Sequence, residues 1–154
     1  MSEWTMEKAM DRAVAMEEES IQLYTDAQDK VVNPGSKQFL KELVAEEEKH
    51  RSNILAAKED PSKIEEIGSL SAPVQDLKIS DGLVATTLSP EASYQEILIY
   101  AAKREKETHD FYMQLARGYR ESQVGKMFAA FAQEELRHKY LLEKEYDDVI
   151  LWQM

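Results

Sequence analysis

The 154-residue chain contains no cysteine. Disulfides, zinc ribbons, thiol nucleophiles and cysteine-ligated iron centres are therefore excluded. Glycine and proline are sparse, at 5 and 4, and three of the prolines (Pro61, Pro73, Pro90) fall in one stretch. No apolar run approaches the ~20 residues needed to cross a bilayer. The opening residues Met1 to Lys8 lack the apolar core of a signal peptide. The expectation is a cytoplasmic protein that neither spans nor binds a membrane. Positive charge is short too: 19 Lys and Arg stand against 30 Asp and Glu, a net charge of −11. That balance disfavours nucleic acid and anionic lipid as partners. What remains is rich in Ala, Glu, Leu, Lys, Gln and Met, all good helix formers, so the fold class is all-α.

Four long amphipathic stretches are expected, at about 4–32, 36–58, 90–117 and 121–147, within a single domain covering 1–154. Asn33-Pro34-Gly35 reads as a turn ahead of a Ser36 cap. Ser89-Pro90 reads as a cap followed by proline at the first helical position. Between the second and third helices lies a segment of about 59–89, in which Asp60-Pro61 can start one short helical turn through Ile67. A connection of that length is uncommon in a compact domain unless it has a task. Here it can run the length of a bundle, leaving helices two and three parallel. Two antiparallel hairpins joined by one long crossover make a ferritin-like four-helix bundle.

Steps of three and four pick out one inward stripe per helix. They are Met6, Met10, Ala13, Glu17, Ser20, Tyr24, Ala27 and Val31; Leu40, Leu43, Glu47, His50, Ile54 and Ala57; Tyr94, Leu98, Ala101, Glu105, Thr108, Tyr112 and Leu115; and Val124, Phe128, Phe131, Glu135, His138 and Leu142. Each stripe is apolar or small except at its middle, where ionisable residues stand. The two halves also match at an offset of 88 residues: Glu17 falls on Glu105, Tyr24 on Tyr112, Glu46-Glu47 on Glu134-Glu135, and His50 on His138. This pattern reads as an internal duplication.

Glu and His three apart on a helix present their side chains to one spot. The first-helix Glu of each hairpin stands at the same level. Bringing the hairpins together gathers four carboxylates and two imidazoles: Glu17, Glu47, His50, Glu105, Glu135 and His138. Buried without counter-charge, each glutamate costs several kcal/mol. Two divalent cations remove that cost, and mixed oxygen and nitrogen ligands suit iron or manganese better than calcium. Two iron ions are the expected cofactor, with di-manganese or a mixed pair as the alternative. Tyr24 and Tyr112 lie two turns from Glu17 and Glu105, able to hydrogen-bond a ligand or simply to pack. Glu18, Glu19, Glu46, Glu48, Glu107 and Glu134 read as a solvated face. His109 reads as a surface or supporting residue, and Asp26, Asp110 and Arg137 as possible partners that orient histidines.

These residues, with the runs Ala45-Glu46-Glu47-Glu48-Lys49-His50 and Phe131-Ala132-Gln133-Glu134-Glu135-Leu136-Arg137-His138, resemble the di-iron motifs of rubrerythrins over about residues 4 to 148. The resemblance implies that the six residues are metal ligands and that the bridging pair comes from among Glu47, Glu135 and Glu105. It also implies reaction with O2 or H2O2, an external electron donor, and a homodimer or higher oligomer. Two departures bear on activity. The extra glutamate that rubrerythrins carry one turn after the third-helix ligand is Thr108 here, with Ser20 as its counterpart, and the rubredoxin domain is lacking. Both pull the expectation from peroxidase towards a ferroxidase-type centre. Iron storage, or a structural di-metal site in an interaction module, are the other readings. Ile97, Ile99, Tyr100 and Phe111 are apolar residues that could serve an oligomer contact.

Overall fold

The computed structural model describes residues 4–71, 73–74 and 88–150. The expectations for residues 1–3, for 72 and 75–87 of the crossover, and for 151–154 lie outside the described residues. The helices are α1 (Met6–Ala27), α2 (Pro34–Lys58), a short α3 (Pro61–Glu66), α4 (Tyr94–Gly118) and α5 (Gln123–Glu145). Every residue of the four inward stripes is buried.

Local chemistry sets the ends, and several boundaries differ from expectation. The first helix stops at Ala27 rather than near 32, giving way to a 3-10 turn at Gln28–Lys30. Helix α2 begins two residues early, because Asn33 rather than Ser36 is the cap. Its side chain accepts from the Gly35 and Ser36 amides, and Pro34 takes the first position, where a missing N–H is harmless. Helix α4 begins four residues late. Ser93 and Glu96 form a capping box, each side chain accepting from the other's backbone N–H, whereas Ser89 accepts from Glu91 N within a turn. The expected short turn after Asp60 is α3, with Asp60 capping it. Helix α5 passes into a π-helical turn at Tyr146–Ile150.

Helices α1 and α2 form one hairpin and α4 and α5 the other, with α1 against α4 and α2 against α5. Hydrogen bonds across the seam fix the directions. Tyr24 reaches Glu105 while Tyr112 reaches Glu17, and His50 reaches Glu134 while His138 reaches Glu46. In both pairs the residue numbers run in opposite senses, so facing helices are antiparallel and α2 and α4 are parallel on the diagonal. That connectivity needs a connection spanning the bundle, and the described ends of the crossover lie at opposite ends of α1. At one end Leu70 O accepts from Glu7 N at 2.8 Å and Val74 N donates to Trp4 O at 2.7 Å, beside the start of α1. At the other, Lys30 Nζ donates to Pro90 O at 2.8 Å, just beyond its finish.

The core has two apolar clusters. One gathers Met6, Met10, Ile54, Phe111, Phe128 and their neighbours at the α1 N-terminal end. The other gathers Leu40, Leu43, Leu98, Ala101, Leu142 and theirs at the opposite end. A belt of buried ionisable side chains lies between them. Ile97 and Phe111 belong to these clusters and face inward, leaving Ile99 exposed and Tyr100 half-buried among the four residues considered for an oligomer contact.

Candidate metal centre

Each residue of the belt comes from the middle of a long helix, where neighbouring turns hold the backbone rigid. Glu17, Glu47, Glu105, Glu135, His50 and His138 are all at most 2% exposed. Their ligand atoms fall into two overlapping groups, Glu17, Glu47, His50 and Glu135, and Glu47, Glu105, Glu135 and His138. Within each group the atoms lie within 4.8 Å of one another. The six residues expected from sequence are therefore brought together, and Glu47 and Glu135 are the two carboxylates common to both groups. This narrows the choice of a bridging pair, since Glu105 appears in one group alone.

Among the described residues, eight atoms of the belt are buried and make no well-aligned hydrogen bond: one oxygen each of Glu17 and Glu105, both oxygens of Glu47 and Glu135, and Nδ1 of both histidines. His50 Nδ1 lies 2.9 Å from a Glu135 oxygen, and His138 Nδ1 lies 2.9 Å from a Glu47 oxygen. Proximity without satisfaction is costly in a core, at about 1–3 kcal/mol for each orphaned group and more when it is charged. Convergent unpaired oxygen and nitrogen donors are what a pair of divalent cations would complete. The residues present fit such ions.

The electrostatics point the same way. Burial, then the neighbouring charges of Glu17 and Glu105, push the Glu47 carboxyl well above its ordinary range. Burial, then Glu105 and Glu47, do the same to Glu135. Glu105 goes the other way: burial opposes ionisation, but Glu135, His138 and Tyr24 outweigh it and hold its pKa low. For His138, burial works against the imidazolium, yet the Glu105 and Glu47 carboxylates prevail and its pKa is pushed up to about 11. His50 is raised in the same manner, burial being outweighed by Glu17 and Glu134. Without added positive charge, the belt holds protons in its place.

The tyrosines are hydrogen-bond donors as well as core residues. Tyr24 donates to Glu105 Oε1 and Tyr112 to Glu17 Oε1, each crossing from one hairpin to the other and leaving Oε2 of its glutamate unpartnered. Burial, followed by the charges of Glu105 and Glu17 respectively, drives both phenol pKa values well above 10. Thr108 is buried but spends its hydroxyl on the Arg104 carbonyl at 2.8 Å. It therefore adds no donor to the belt.

Two residues placed on the solvated face do more than that. Glu134 accepts from His50 Nε2 and Glu46 from His138 Nε2, again across the seam. Arg137 reaches the other oxygen of Glu46 at 2.5 Å. The signal in the sequence was the repeat itself, since Glu46 and Glu134 are equivalent at the 88-residue offset. Among the remaining candidates, His109 sits outside the belt with its Nδ1 2.9 Å from Asp110. Asp26 accepts from Gln22, so neither aspartate is seen orienting His50 or His138.

Residues 96–151 match the family model for rubrerythrin, a span that holds Glu105, Glu135 and His138. Among solved structures, the chain is similar to a Thermotoga maritima protein described as a ferritin-like diiron-carboxylate protein. The TM-score is 0.71 at 18% identity, covering 94% of this chain and 96% of that one. The fold is ferritin-like. No curated protein matches the chain.

Proposed function

We propose that this rubrerythrin-like chain binds two iron ions between its hairpins and catalyses oxidation of Fe(II) by O2 or H2O2. The observation that carries the reading is the set of eight unpartnered donor atoms converging on one point in the core. Glu17 and His50 would hold one ion, Glu105 and His138 the other, and Glu47 and Glu135 would bridge. Such a pair of ions supplies two electrons at one place, enough to reduce H2O2 to water or O2 to H2O2 when two protons are taken up.

The chain's own part is positional. Tyr24 and Tyr112 fix Glu105 and Glu17 by one oxygen and turn the other towards the ions. The two apolar clusters exclude bulk water from either side of the belt. Protons held at Glu47, Glu135 and the histidines leave as metal enters, so uptake releases protons. With no cysteine in the chain, electrons to regenerate Fe(II) come from an external donor. The hydroxyl of Thr108, turned to Arg104 O, favours a six-residue ferroxidase-type centre over the seven-residue peroxidase arrangement with a fifth carboxylate.

The test is iron content per chain after anaerobic loading, followed by the rate of Fe(III) formation on mixing with O2 or H2O2. The wild type is expected to hold two irons and turn over, and Glu47→Ala to lose both properties. Two irons retained by Glu47→Ala, or none held by the wild type, would sink the proposal. Uptake of many irons per chain would favour storage instead.

A further inference from the structure

We infer that Arg137, by clamping the Glu46 carboxylate that holds His138, makes the His138 position the tighter of the two metal positions. The inference rests on the di-metal reading and adds an order to it.

Each histidine is held from outside the belt. His50 Nε2 donates to Glu134 and His138 Nε2 to Glu46, which leaves Nδ1 facing Glu17, Glu47 and Glu135 in the first ring and Glu47, Glu105 and Glu135 in the second. A carboxylate on one nitrogen settles the tautomer, placing the lone pair on the other and making it the better ligand. The two carboxylates differ in how they are themselves held. Glu46 also accepts from Arg137 NH2 at 2.5 Å, so both its oxygens are engaged. The residue equivalent to Arg137 at the 88-residue offset is Lys49. Lys49 is exposed and makes no ion pair among the described residues.

Glu134 is consequently tethered through His50 alone, and its side chain is 50% exposed against 36% for Glu46. A long side chain already fixed by a guanidinium has less rotamer freedom to lose when it orients its histidine. His50 does have a compensation that His138 lacks, because Phe131 stacks on it at 4.2 Å, where the equivalent residue is Leu43. Stacking restrains the plane of the ring but does not choose which nitrogen carries the proton. It therefore does not replace the Glu46–Arg137 clamp.

The experiment is anaerobic calorimetric titration of the full-length, metal-free chain with Fe(II), in parallel with ring 15N NMR of the Zn(II)-loaded protein. The wild type is expected to fill two positions with unequal affinity. Glu46→Ala should weaken the tighter step by about 10–100-fold, and Glu46→Gln, which keeps an acceptor, should recover part of that loss. Glu134→Ala should weaken the second step and spare the first. Arg137→Gln should draw the tighter step towards the weaker. In the spectra, His50 and His138 should carry their proton on Nε2 and bind metal through Nδ1. Glu134→Ala should disturb the His50 Nε2 proton and leave His138 unaffected, with His109 as an internal reference. Two ions bound with affinities indifferent to Glu46 and Glu134, equal loss at both steps from either substitution, or ligation through Nε2 would overturn the inference and leave the proposed function standing. A wild type that binds no Fe(II) would overturn both.

Discussion

Replacing Tyr112 or Tyr24 by phenylalanine removes one oxygen atom from the core and little else. The Tyr112 ring lies against Phe128 at 5.5 Å, Phe131 at 5.8 Å and Phe111 at 6.1 Å, contacts that phenylalanine keeps. What is lost is the donor to Glu17, a carboxylate at 0% exposure whose other oxygen already lacks a partner. A hydrogen bond to a charged group contributes about 1.5–3 kcal/mol. For a chain of this size each kcal/mol moves the melting temperature by about 2–4 °C, so the metal-free Tyr112→Phe chain should melt roughly 3–12 °C lower. Tyr24→Phe should behave alike, because its hydroxyl plays the same part for Glu105. Iron affinity should fall as well, since each glutamate loses the contact that aims it. Differential scanning calorimetry on both variants gives the answer. Tyr140→Phe is the control, as Tyr140 is 60% exposed and its substitution should stay within about ±0.5 kcal/mol. If both core variants melt within about 1 °C of wild type, the tyrosines are packing residues and the argument for them as ligand supports is wrong.

Other expectations can be checked with the same instruments. A Cβ added at Gly125 would lie 1.8 Å from the Tyr119 carbonyl oxygen, so Gly125→Ala should cost about 1–3 kcal/mol or more. At Gly118 nothing lies within 4 Å of the added atom, and Gly118→Ala should be neutral or mildly stabilising by thermal melting. Ser93→Ala should destabilise by about 1 kcal/mol and Ser89→Ala by clearly less, because the cap of α4 is Ser93. Free Fe(II) at a hundred times the dissociation constant of a position should stabilise the fold by about 2.7 kcal/mol for each ion bound. Chelation should reverse that gain, and Glu47→Ala should show no difference between the two conditions.

Much of this was legible in the sequence because helical periodicity is strict. Glu17, Glu47, Glu105 and Glu135 interrupt stripes that are otherwise apolar, and a single rule placed all four inside. The same rule puts Glu46 and Glu134 on the solvated face, where they are partly exposed, but does not reveal their bonds to the histidines. One position before a ligand is a turn of about 100° around the helix, which points the Cα–Cβ bond away from the belt. The side chain is long enough to come back across the seam to the opposite hairpin, and a stripe analysis does not see that reach. The start of α4 was missed for a different reason. Ser89-Pro90 and Ser93-Tyr94 both carry cap chemistry, and the choice fell to Glu96, which completes a box with Ser93 alone. Asn33 was read as part of a breaker although proline following a capping residue starts helices as readily as it ends them.

The contacts between the hairpins have one further consequence. Each of the two groups of convergent donors draws residues from both hairpins, and the tyrosine and histidine hydrogen bonds also cross between them. Loss of metal would therefore remove a link across the seam as well as one within each hairpin. Metal bound in this arrangement would act as a clasp. Scarcity of metal would be felt as a loosening of two intact halves rather than as melting of helices, and the strength of the closure would report how much iron the surroundings can spare.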